Sequence, residues 1–252
     1  MIVVAHLSDI HLDGGERSAA RARKVLAYLN NAPGPIDAVL VTGDIADHGE
    51  LGEYQLAREI LKSRYPVFDC PGNHDKRAAY REGLLGQPPA DGPINQLHEV
   101  AGAVFAMCDS SVPGRPQGFL DDETIEWLDG VLAGSETPAF VCFHHPPVDL
   151  GIPAVDVIRQ HSEGRLAAVI ERHPRVVALL CGHTHTAAAT TFAGRPLVMA
   201  PGVVSTSLLP FEPLGQRSWD EGGALDLGGP PSLAFHVLHD DRRLTTHYRV
   251  VS

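Results

Sequence analysis

The sequence has few cysteines, few aromatic side chains and no long apolar run. Four cysteines occur in 252 residues, each in or at the end of an apolar run and no two in a CxxC pair. This argues against a disulfide scaffold and predicts buried, reduced thiols. No apolar run reaches the ~18–20 residues of a membrane helix, and the opening MIVVAHLSDIHL lacks the basic start of a signal peptide. We therefore expect a cytoplasmic protein that does not bind membranes.

Basic residues are also scarce. Lys and Arg number 20 against 31 Asp and Glu, which gives a formal net charge of -11. An acidic chain without Lys or Arg runs is a poor binder of nucleic acid polymers and of anionic membranes. The length suits one α/β domain. We predict a single domain over residues 1–252, with a loop rich in Gly and Pro at about 209–232.

What the sequence does contain is an alternation of short apolar runs and helical patterns. It predicts strands at Ile2–Leu7, Ala38–Thr42, 66–69, 103–108, 139–143 and 176–180, and helices around 22–29, 53–65, 122–132 and 165–172. Such alternation indicates mainly parallel sheet with helices on its faces. The last third differs, because residues 190–200, Ser232–Leu238 and Leu244–Val250 are predicted as consecutive strands. We expect them to build a second, mostly antiparallel sheet, and so predict an α/β four-layer αββα sandwich with two central mixed sheets.

Polar side chains that can bind metals follow five of these strands. The stretches are Ser-Asp-Ile-His at 8–11, Gly-Asp at 43–44, Gly-Asn-His-Asp at 72–75, His-His at 144–145 and Gly-His-Thr-His at 182–185. In open α/β sheets, ligands bind just beyond the carboxyl ends of the strands, so these stretches should converge on one site. Each motif alone is more often a turn or a satisfied histidine. Five in this order are hard to explain as turns.

The residue types suit a centre of two metal ions. The set offers seven side chains: Asp9, His11, Asp44, Asn73, His144, His183 and His185. Mixed imidazole, carboxylate and amide ligands favour divalent or trivalent Fe, Mn or Zn over Mg or Ca. A carboxylate can bridge two cations, and Asp44 falls between the two groups of ligands. Two divalent ions outweigh two ligand carboxylates, so the centre of an acidic protein can still attract an anionic substrate.

The ordered set D-x-H, GD, GNHD, HH and GHTH resembles the calcineurin-like metallophosphoesterase superfamily, over residues 1 to about 205. The resemblance implies a four-layer αββα fold and a dinuclear metal centre bridged by Asp44, with His74 beside the phosphate. It also implies the division of the other ligands. Asp9, His11 and His185 would bind the first metal, and Asn73, His144 and His183 the second.

Looser similarities bear on the substrate. FHHPP at 143–147 and GDIADHG at 43–49 resemble class III cyclic-nucleotide phosphodiesterases and glycerophosphodiesterases. They predict metal-dependent hydrolysis of small phosphodiesters, most of all 3′,5′-cyclic AMP. The alternatives are a promiscuous glycerophosphodiesterase or phosphomonoesterase and, from another class, a metal-free scaffold protein. A homodimer or a larger homo-oligomer is compatible with the resemblance.

Several polar or aromatic residues near the motifs are candidates for catalytic, structural or substrate-binding roles. His74 is the candidate general acid or electrostatic stabiliser, because the ligand Asn73 precedes it and their side chains should diverge. Asp75 either orients His74 or caps the next helix, and we favour the cap because residues 76–79 look helical. His48 and His161 are candidates for substrate contact. Trp219 either stacks on a base or anchors the 209–232 loop, and the anchor is favoured.

Overall fold

A computed structural model describes residues 1–134 and 136–252 of the chain. The strands of this part, in chain order, are β1 (Ile2–Leu7), β2 (Ala38–Thr42), β3 (Val67–Cys70), β4 (Gln96–Val100), β5 (Ala103–Met107), β6 (Gly118–Phe119), β7 (Ala139–Cys142), β8 (Gln160–His161), β9 (Val176–Cys181), β10 (Ala188–Phe192), β11 (Arg195–Met199), β12 (Thr206–Ser207), β13 (Leu225–Asp226), β14 (Ser232–Leu238) and β15 (Leu244–Val250). The α-helices are α1 (Glu16–Asn30), α2 (Leu51–Ile60), α3 (Arg77–Tyr80), α4 (Asp122–Ala133), α5 (Pro153–Asp156) and α6 (Glu163–Arg172). A π-helical turn at Arg81–Leu85 and a 3₁₀ turn at Trp219–Glu221 complete the regular structure.

The longer helices form where an apolar stripe meets a suitable first turn. Helix α1 buries Val25, Leu26 and Leu29 on one face, as the spacing of these residues predicts. Helix α4 begins after Asp121, whose carboxylate accepts a hydrogen bond from the backbone N–H of Thr124 at 2.8 Å. This cap satisfies one of the free N–H groups of the first turn.

Helix α2 is shorter than the predicted helix at 53–65. It runs from Leu51 to Ile60 and begins with a capping box formed by Glu50 and Glu53. After the helix ends, the side-chain oxygen of Asn30 accepts hydrogen bonds from the Ser63 hydroxyl at 2.9 Å and the Arg64 backbone N–H at 3.2 Å. Pro66 also disfavours helical backbone at the residue before it. The chain therefore leaves the helix early and enters β3 extended.

Two large mixed sheets organise the strands. The first has the order β15-β14-β1-β2-β3, in which β1, β2 and β3 are parallel and β14 and β15 are antiparallel to their neighbours. The second has the order β10-β11-β9-β7-β5-β4, with a parallel centre and antiparallel edges. Two short pairs, β6 with β8 and β12 with β13, lie outside these sheets.

The prediction for the last third of the chain was wrong in two respects. The predicted strand at 190–200 is a hairpin, because Ala193 and Gly194 both have positive φ and turn the chain between β10 and β11. The C-terminal strands also do not form a separate sheet, since β10 and β11 join the second sheet while β14 and β15 join the first. Strand β14 has apolar side chains on both faces, with Leu233 in one core cluster and Leu238 in another. It therefore needs a position inside a sheet, next to β1.

The apolar clusters define four layers. One cluster joins α1 and α2 to the first sheet, a second joins α4 and α6 to the other sheet, and a third fills the space between the two sheets. The predicted αββα sandwich is thereby confirmed. The parallel strands β1, β2, β3, β7 and β9 end at the edge where the polar motifs follow them.

Two expectations about the whole chain can be compared with the structure. All four cysteines are buried and free, which confirms the expected reduced thiols. Among residues 1–134 and 136–252, no helix is long and apolar enough to span a bilayer.

Candidate metal centre

The loops after β1 and β9 bring together the first group of predicted ligands. One donor atom each from Asp9, His11 and His185 lies within 4.8 Å of the others, and all three side chains are largely buried. The Nε2 atoms of His11 and His185 are 3.2 Å apart. Three donor atoms this close to one another could share one cation.

The second group converges from β3, β7 and β9. His183 Nδ1 lies 3.2 Å from His144 Nε2, and both side chains are buried. Asn73 Oδ1 and His183 Nε2 are buried atoms for which the described residues provide no hydrogen-bond partner. A buried polar atom without a partner is unfavourable unless a ligand, ion or water satisfies it. The amide oxygen of Asn73 is therefore suited to a cation.

Asp44 lies between the two groups. Its Oδ2 is 3.2 Å from His144 Nε2 and 3.5 Å from His11 Nε2. The approach is possible because residue 72 is glycine, since a Cβ there would lie 2.2 Å from Asp44 Oδ1. A carboxylate with one oxygen near donors of both groups has the position that a bridging ligand needs.

Backbone strain is concentrated at these residues. Asp9, His11, Asp44, His183 and His185 all have positive φ, between 46° and 69°. This left-handed conformation is unfavourable for a residue with a side chain, by an amount of order 1 kcal/mol. The positive φ changes the direction of the side chains that follow the strand ends. Backbone strain of this kind is typical of functional sites. Hydrogen bonds hold the loops in place, among them those from the N–H groups of Ile10 and His11 to the carbonyl of Asp44, both at 2.9 Å.

Three of the four candidate ligand histidines have a hydrogen bond at Nδ1 that orients the ring. His144 Nδ1 donates to the Thr42 carbonyl at 2.7 Å, and His11 Nδ1 donates to the Asp47 carboxylate at 2.9 Å. His185 Nδ1 lies 2.7 Å from the Ser205 hydroxyl. A proton fixed on Nδ1 leaves the lone pair of Nε2 free for a metal. Asp47, Thr42 and Ser205 were not predicted, and only Asp47 lies within a motif that the sequence displays, GDIADHG.

Electrostatics favour positive charge at the centre. Burial lowers the pKa of His144, but the neighbouring Asp44 carboxylate overrides burial and raises that pKa to about 9. For Asp44, burial opposes ionisation, yet the charge of His144 holds its pKa well below the usual range. His185, by contrast, is kept neutral because burial lowers its pKa to about 4. The ionised Asp44 carboxylate and the neutral His185 imidazole are donors of the kind that transition-metal ions prefer.

His74 stands at the rim of this centre. Its side chain is 41% exposed, while its backbone N–H donates to Asp44 Oδ1 at 2.9 Å. The ring is 4.6 Å from that of His11, and Nδ1 donates to the Asp47 carbonyl at 2.8 Å. Nε2 is then the nitrogen available to a substrate.

The expectation that Asp75 caps the following helix is wrong. Helix α3 is preceded by Lys76 and has no side-chain cap. The buried Asp75 carboxylate instead accepts hydrogen bonds from the N–H groups of Ile45, Ala46 and Gly72 and from the Tyr54 hydroxyl, at 2.8–3.2 Å. The buried carboxylate takes backbone donors from the two loops that carry Asp44 and Asn73. Asp75 thus joins those loops and does not contact the His74 ring through any bond described.

The remaining candidates have different surroundings. His145 is fully buried and uses both nitrogens on protein atoms, Ser110 Oγ at 2.8 Å and the Pro116 carbonyl at 3.2 Å. It is therefore a structural neighbour of the ligands. His48 is exposed and bonded to Glu53, whose hydrogen bond raises the pKa of His48. Trp219 Nε1 donates to the Ala154 carbonyl at 3.0 Å, which confirms the predicted loop anchor.

A row of hydrogen-bonded, largely buried side chains leads to the second group of candidate ligands. It was not predicted. His6 Nε2 is 2.8 Å from the Thr42 hydroxyl, His6 Nδ1 is 3.0 Å from His236 Nε2, and His236 Nδ1 is 2.9 Å from the Thr246 hydroxyl. This row of side chains connects β15, through β14 and β1, to Thr42, whose carbonyl orients His144. No local sequence pattern marks a pairing between residues 6 and 236.

Comparisons with known proteins agree with this geometry. The calcineurin-like phosphoesterase family model matches residues 2–187. The chain is 35% identical over 216 residues to the glycerophosphodiester phosphodiesterase GpdQ of Enterobacter lignolyticus, covering 81% of this chain and 78% of that protein. It is 31% identical over 234 residues to a cAMP/cGMP dual specificity phosphodiesterase of Mycobacterium tuberculosis, covering 86% of this chain and 72% of that protein.

A solved structure shares the fold. The crystal structure of a dimetal phosphatase from Danio rerio superposes with a TM-score of 0.71, covering all of this chain and 96% of that one. The two sequences are 14% identical, so this likeness concerns the fold alone.

Proposed function

We propose that this chain, which belongs to the calcineurin-like phosphoesterase family and is a metal-dependent phosphodiesterase, acts on small phosphodiesters and most of all on 3′,5′-cyclic AMP. The observation that carries the proposal is the position of Asp44, whose carboxylate lies between His11 and His144 at 3.5 and 3.2 Å. That arrangement supports a dinuclear centre at the carboxyl edge of both sheets.

The residues present fit two metal ions. Asp9, His11 and His185 would hold the first, Asn73, His144 and His183 the second, and Asp44 would be shared. The donor set of imidazole, carboxylate and amide favours Fe, Mn or Zn. Such ions, when bound, lower the pKa of water, bind phosphate oxygens and offset the negative charge that develops during hydrolysis.

The chain's own side chains prepare the site for an anionic diester. Asn73 offers an amide oxygen and adds no negative charge, so only Asp9 and Asp44 among the ligands are acidic. His74, with Nδ1 held by the Asp47 carbonyl, would hold a proton at Nε2 and transfer it to the leaving oxygen. General acids of this kind contribute typically ~10²–10⁴-fold to the rate.

The choice of substrate rests on the relatives. One relative is named for glycerophosphodiesters and another for cAMP and cGMP, which supports a small diester over a polymer. Cyclic AMP is our first choice because FHHPP at 143–147 and GDIADHG at 43–49 resemble cyclic-nucleotide phosphodiesterases. A promiscuous glycerophosphodiesterase or a phosphomonoesterase is the alternative within the family.

A substrate panel tests the proposal. The metal-reconstituted protein should be assayed with 3′,5′-cyclic AMP, 2′,3′-cyclic AMP, glycerophosphoethanolamine, bis(4-nitrophenyl) phosphate and 4-nitrophenyl phosphate. We expect turnover of 3′,5′-cyclic AMP and a higher kcat/KM for the aryl diester than for the aryl monoester. A monoester preference without cyclic-nucleotide turnover would support the phosphatase alternative. Purified protein that takes up no metal would support the scaffold alternative.

Location and assembly are part of the same proposal. We place the protein in the cytoplasm, where its four free, buried thiols remain reduced. A homodimer or larger homo-oligomer is proposed from the family resemblance, and light scattering would test it.

A further inference from the structure

A second cavity lies at the same edge of the sheets as the metal centre. It has a volume of about 500 Å³ and is lined by Val112, Arg115, Gln117, Gly118, Phe119 and His161. Most of these residues belong to the segment that follows β5, and His161 lies in β8, beyond β7. Loops after the carboxyl ends of strands are where α/β proteins bind ligands.

The His145 side chain lies next to both this cavity and a candidate ligand. A Cβ at Gly118 would lie 2.4 Å from His145 Cγ, so the floor of the cavity rests directly on the His145 ring. On its other side, the His145 ring centre is 4.7 Å from that of His183. Because both nitrogens of His145 are bonded to protein atoms, the ring is held in place between the cavity floor and the second group of candidate ligands.

The lining is cationic and aromatic in an acidic protein. None of the six lining residues is acidic, although the chain carries a net charge of -11. The exposed Arg115 guanidinium makes no hydrogen bond or ion pair with residues 1–134 or 136–252 for which a contact is described. Phe119 is half-buried and has the Arg165 guanidinium 5.7 Å from its ring centre. Gln117 adds an amide that both donates and accepts.

We propose that this cavity binds the nucleobase of a cyclic nucleotide and makes the metal centre prefer nucleotides to glycerophosphodiesters. The inference rests on the proposed phosphodiesterase function, and it assigns the base to a particular subsite. An aromatic ring offers a stacking surface for a base, and an amide can pair with the edge of adenine through one donor and one acceptor. A glycerol or ethanolamine group has no flat surface to stack on the Phe119 ring.

A matched pair of variants at Phe119 tests the subsite by binding. Phe119→Leu removes the flat ring and keeps an apolar side chain, while Phe119→Tyr keeps the ring. With Mn-loaded protein, calorimetry should show that 5′-AMP binds at least ~10-fold more tightly than ribose 5-phosphate, which is within the range expected for one stacked base. Phe119→Leu should weaken 5′-AMP about 10-fold and leave ribose 5-phosphate within twofold, and Phe119→Tyr should behave as wild type.

Kinetics should follow the same division. In Phe119→Leu, kcat/KM for 3′,5′-cyclic AMP should fall about 10-fold through KM, with glycerophosphoethanolamine unchanged. Arg115→Gln provides a second variant at an exposed position, in case Phe119→Leu fails to fold, and should also weaken 5′-AMP selectively. Equal affinity of the wild type for 5′-AMP and ribose 5-phosphate, or equal losses for both diesters, overturns the subsite. Absence of turnover for every diester would contradict the proposed function, whereas the binding comparison would still decide the subsite.

Discussion

The Nδ1 atom of His183 lies 3.2 Å from the Nε2 atom of His144, in surroundings where both rings are buried. The Nδ1 proton of His144 is committed to the Thr42 carbonyl, so Nε2 is the His144 nitrogen that faces His183. His11 and His185 repeat the arrangement with their Nε2 atoms, also at 3.2 Å. Facing lone pairs are unfavourable unless a proton or a cation lies between them. A metal ion bound beside each pair of nitrogens would therefore make these contacts favourable.

Metal binding should consequently stabilise the fold. Loading with Mn or Zn at about 100–1,000 times Kd adds ~3–4 kcal/mol to the free energy of unfolding, which corresponds to a rise in Tm of roughly 5–15 °C for a chain of this size. Differential scanning fluorimetry with chelator and with metal measures the shift. Asp44→Ala is the matched control and should show a much smaller rise. Identical Tm values in chelator and in metal would contradict the site.

Asp44 should be required for both metals. Its carboxylate lies close to one histidine of each group, whereas Asp9 belongs to the first group and takes its backbone hydrogen bond from His183 at 3.1 Å. We expect Asp44→Ala to lose metal at both positions and to abolish turnover, and Asp9→Ala to affect mainly one. Elemental analysis after gel filtration gives the stoichiometry, with circular dichroism as the folding check. Two metals retained by Asp44→Ala would rule out a bridging role.

The sequence predicted the convergence of the ligands because two local signals coincide. Each apolar run marks a buried strand, and each polar motif falls directly at the carboxyl end of such a strand. Parallel strands then bring those ends to one edge, so that Asp9, Asp44 and His144 meet although 135 positions separate the first from the last. No knowledge of the sheet order is needed for that inference.

What could not be predicted depends on pairings between distant strands. His6 contacts His236 because β14 lies next to β1. The sequence of neither strand indicates that it pairs with the other. Strand β4 was missed because its sequence QLHEV is polar and half-exposed at a sheet edge. The role of Asp75 was misjudged because a helix cap needs only local sequence, whereas its actual donors come from residues 45, 46, 54 and 72.

His74→Ala should separate catalysis from metal binding. The backbone N–H of His74 contacts Asp44, and this contact survives the substitution, so both metals should remain. We expect kcat to fall ~10²–10⁴-fold with an ordinary alkoxide leaving group, the range of a general acid, and far less with an aryl oxide. His247→Ala, at an exposed histidine in β15, is the control. A lost metal, or an equal defect for activated and unactivated diesters, would point to a ligand or phosphate-binding role.

The buried His6–His236 pair should make stability depend on pH. Burial lowers the pKa of His236 to about 3, and burial followed by the charge of His236 lowers that of His6. The unfolded chain takes up protons near pH 6.5 while the folded chain stays neutral, so the stabilising contribution is complete above that pH and is lost as the pH falls. His236 alone should remove about 2 kcal/mol between pH 7 and pH 5.

His236→Gln isolates this effect, because glutamine can hydrogen-bond to both neighbours and does not titrate. Urea unfolding of the metal-loaded proteins at pH 7 and pH 5 gives the free energies. We expect the wild type to lose about 2 kcal/mol more than His236→Gln over this interval. An equal loss in both proteins would mean that His236 is not held neutral by burial.

Asp47 should act on the metals through His11 and leave the proton donor in place. Its carboxylate accepts from His11 Nδ1 at 2.9 Å, whereas His74 Nδ1 uses the Asp47 backbone carbonyl, which no side-chain substitution removes. We therefore expect Asp47→Ala to weaken metal binding at the first site about 10–100-fold, as is usual when the hydrogen-bond partner of a ligand histidine is lost. Turnover should recover at saturating metal, since His74 stays oriented. Asp47→Asn keeps an acceptor oxygen without the charge and should fall between the wild type and Asp47→Ala. Titration of apoprotein with Mn, followed by activity, measures both effects. A defect in kcat that persists in Asp47→Ala at saturating metal would show that the carboxylate acts beyond His11, on the substrate or on His74 itself.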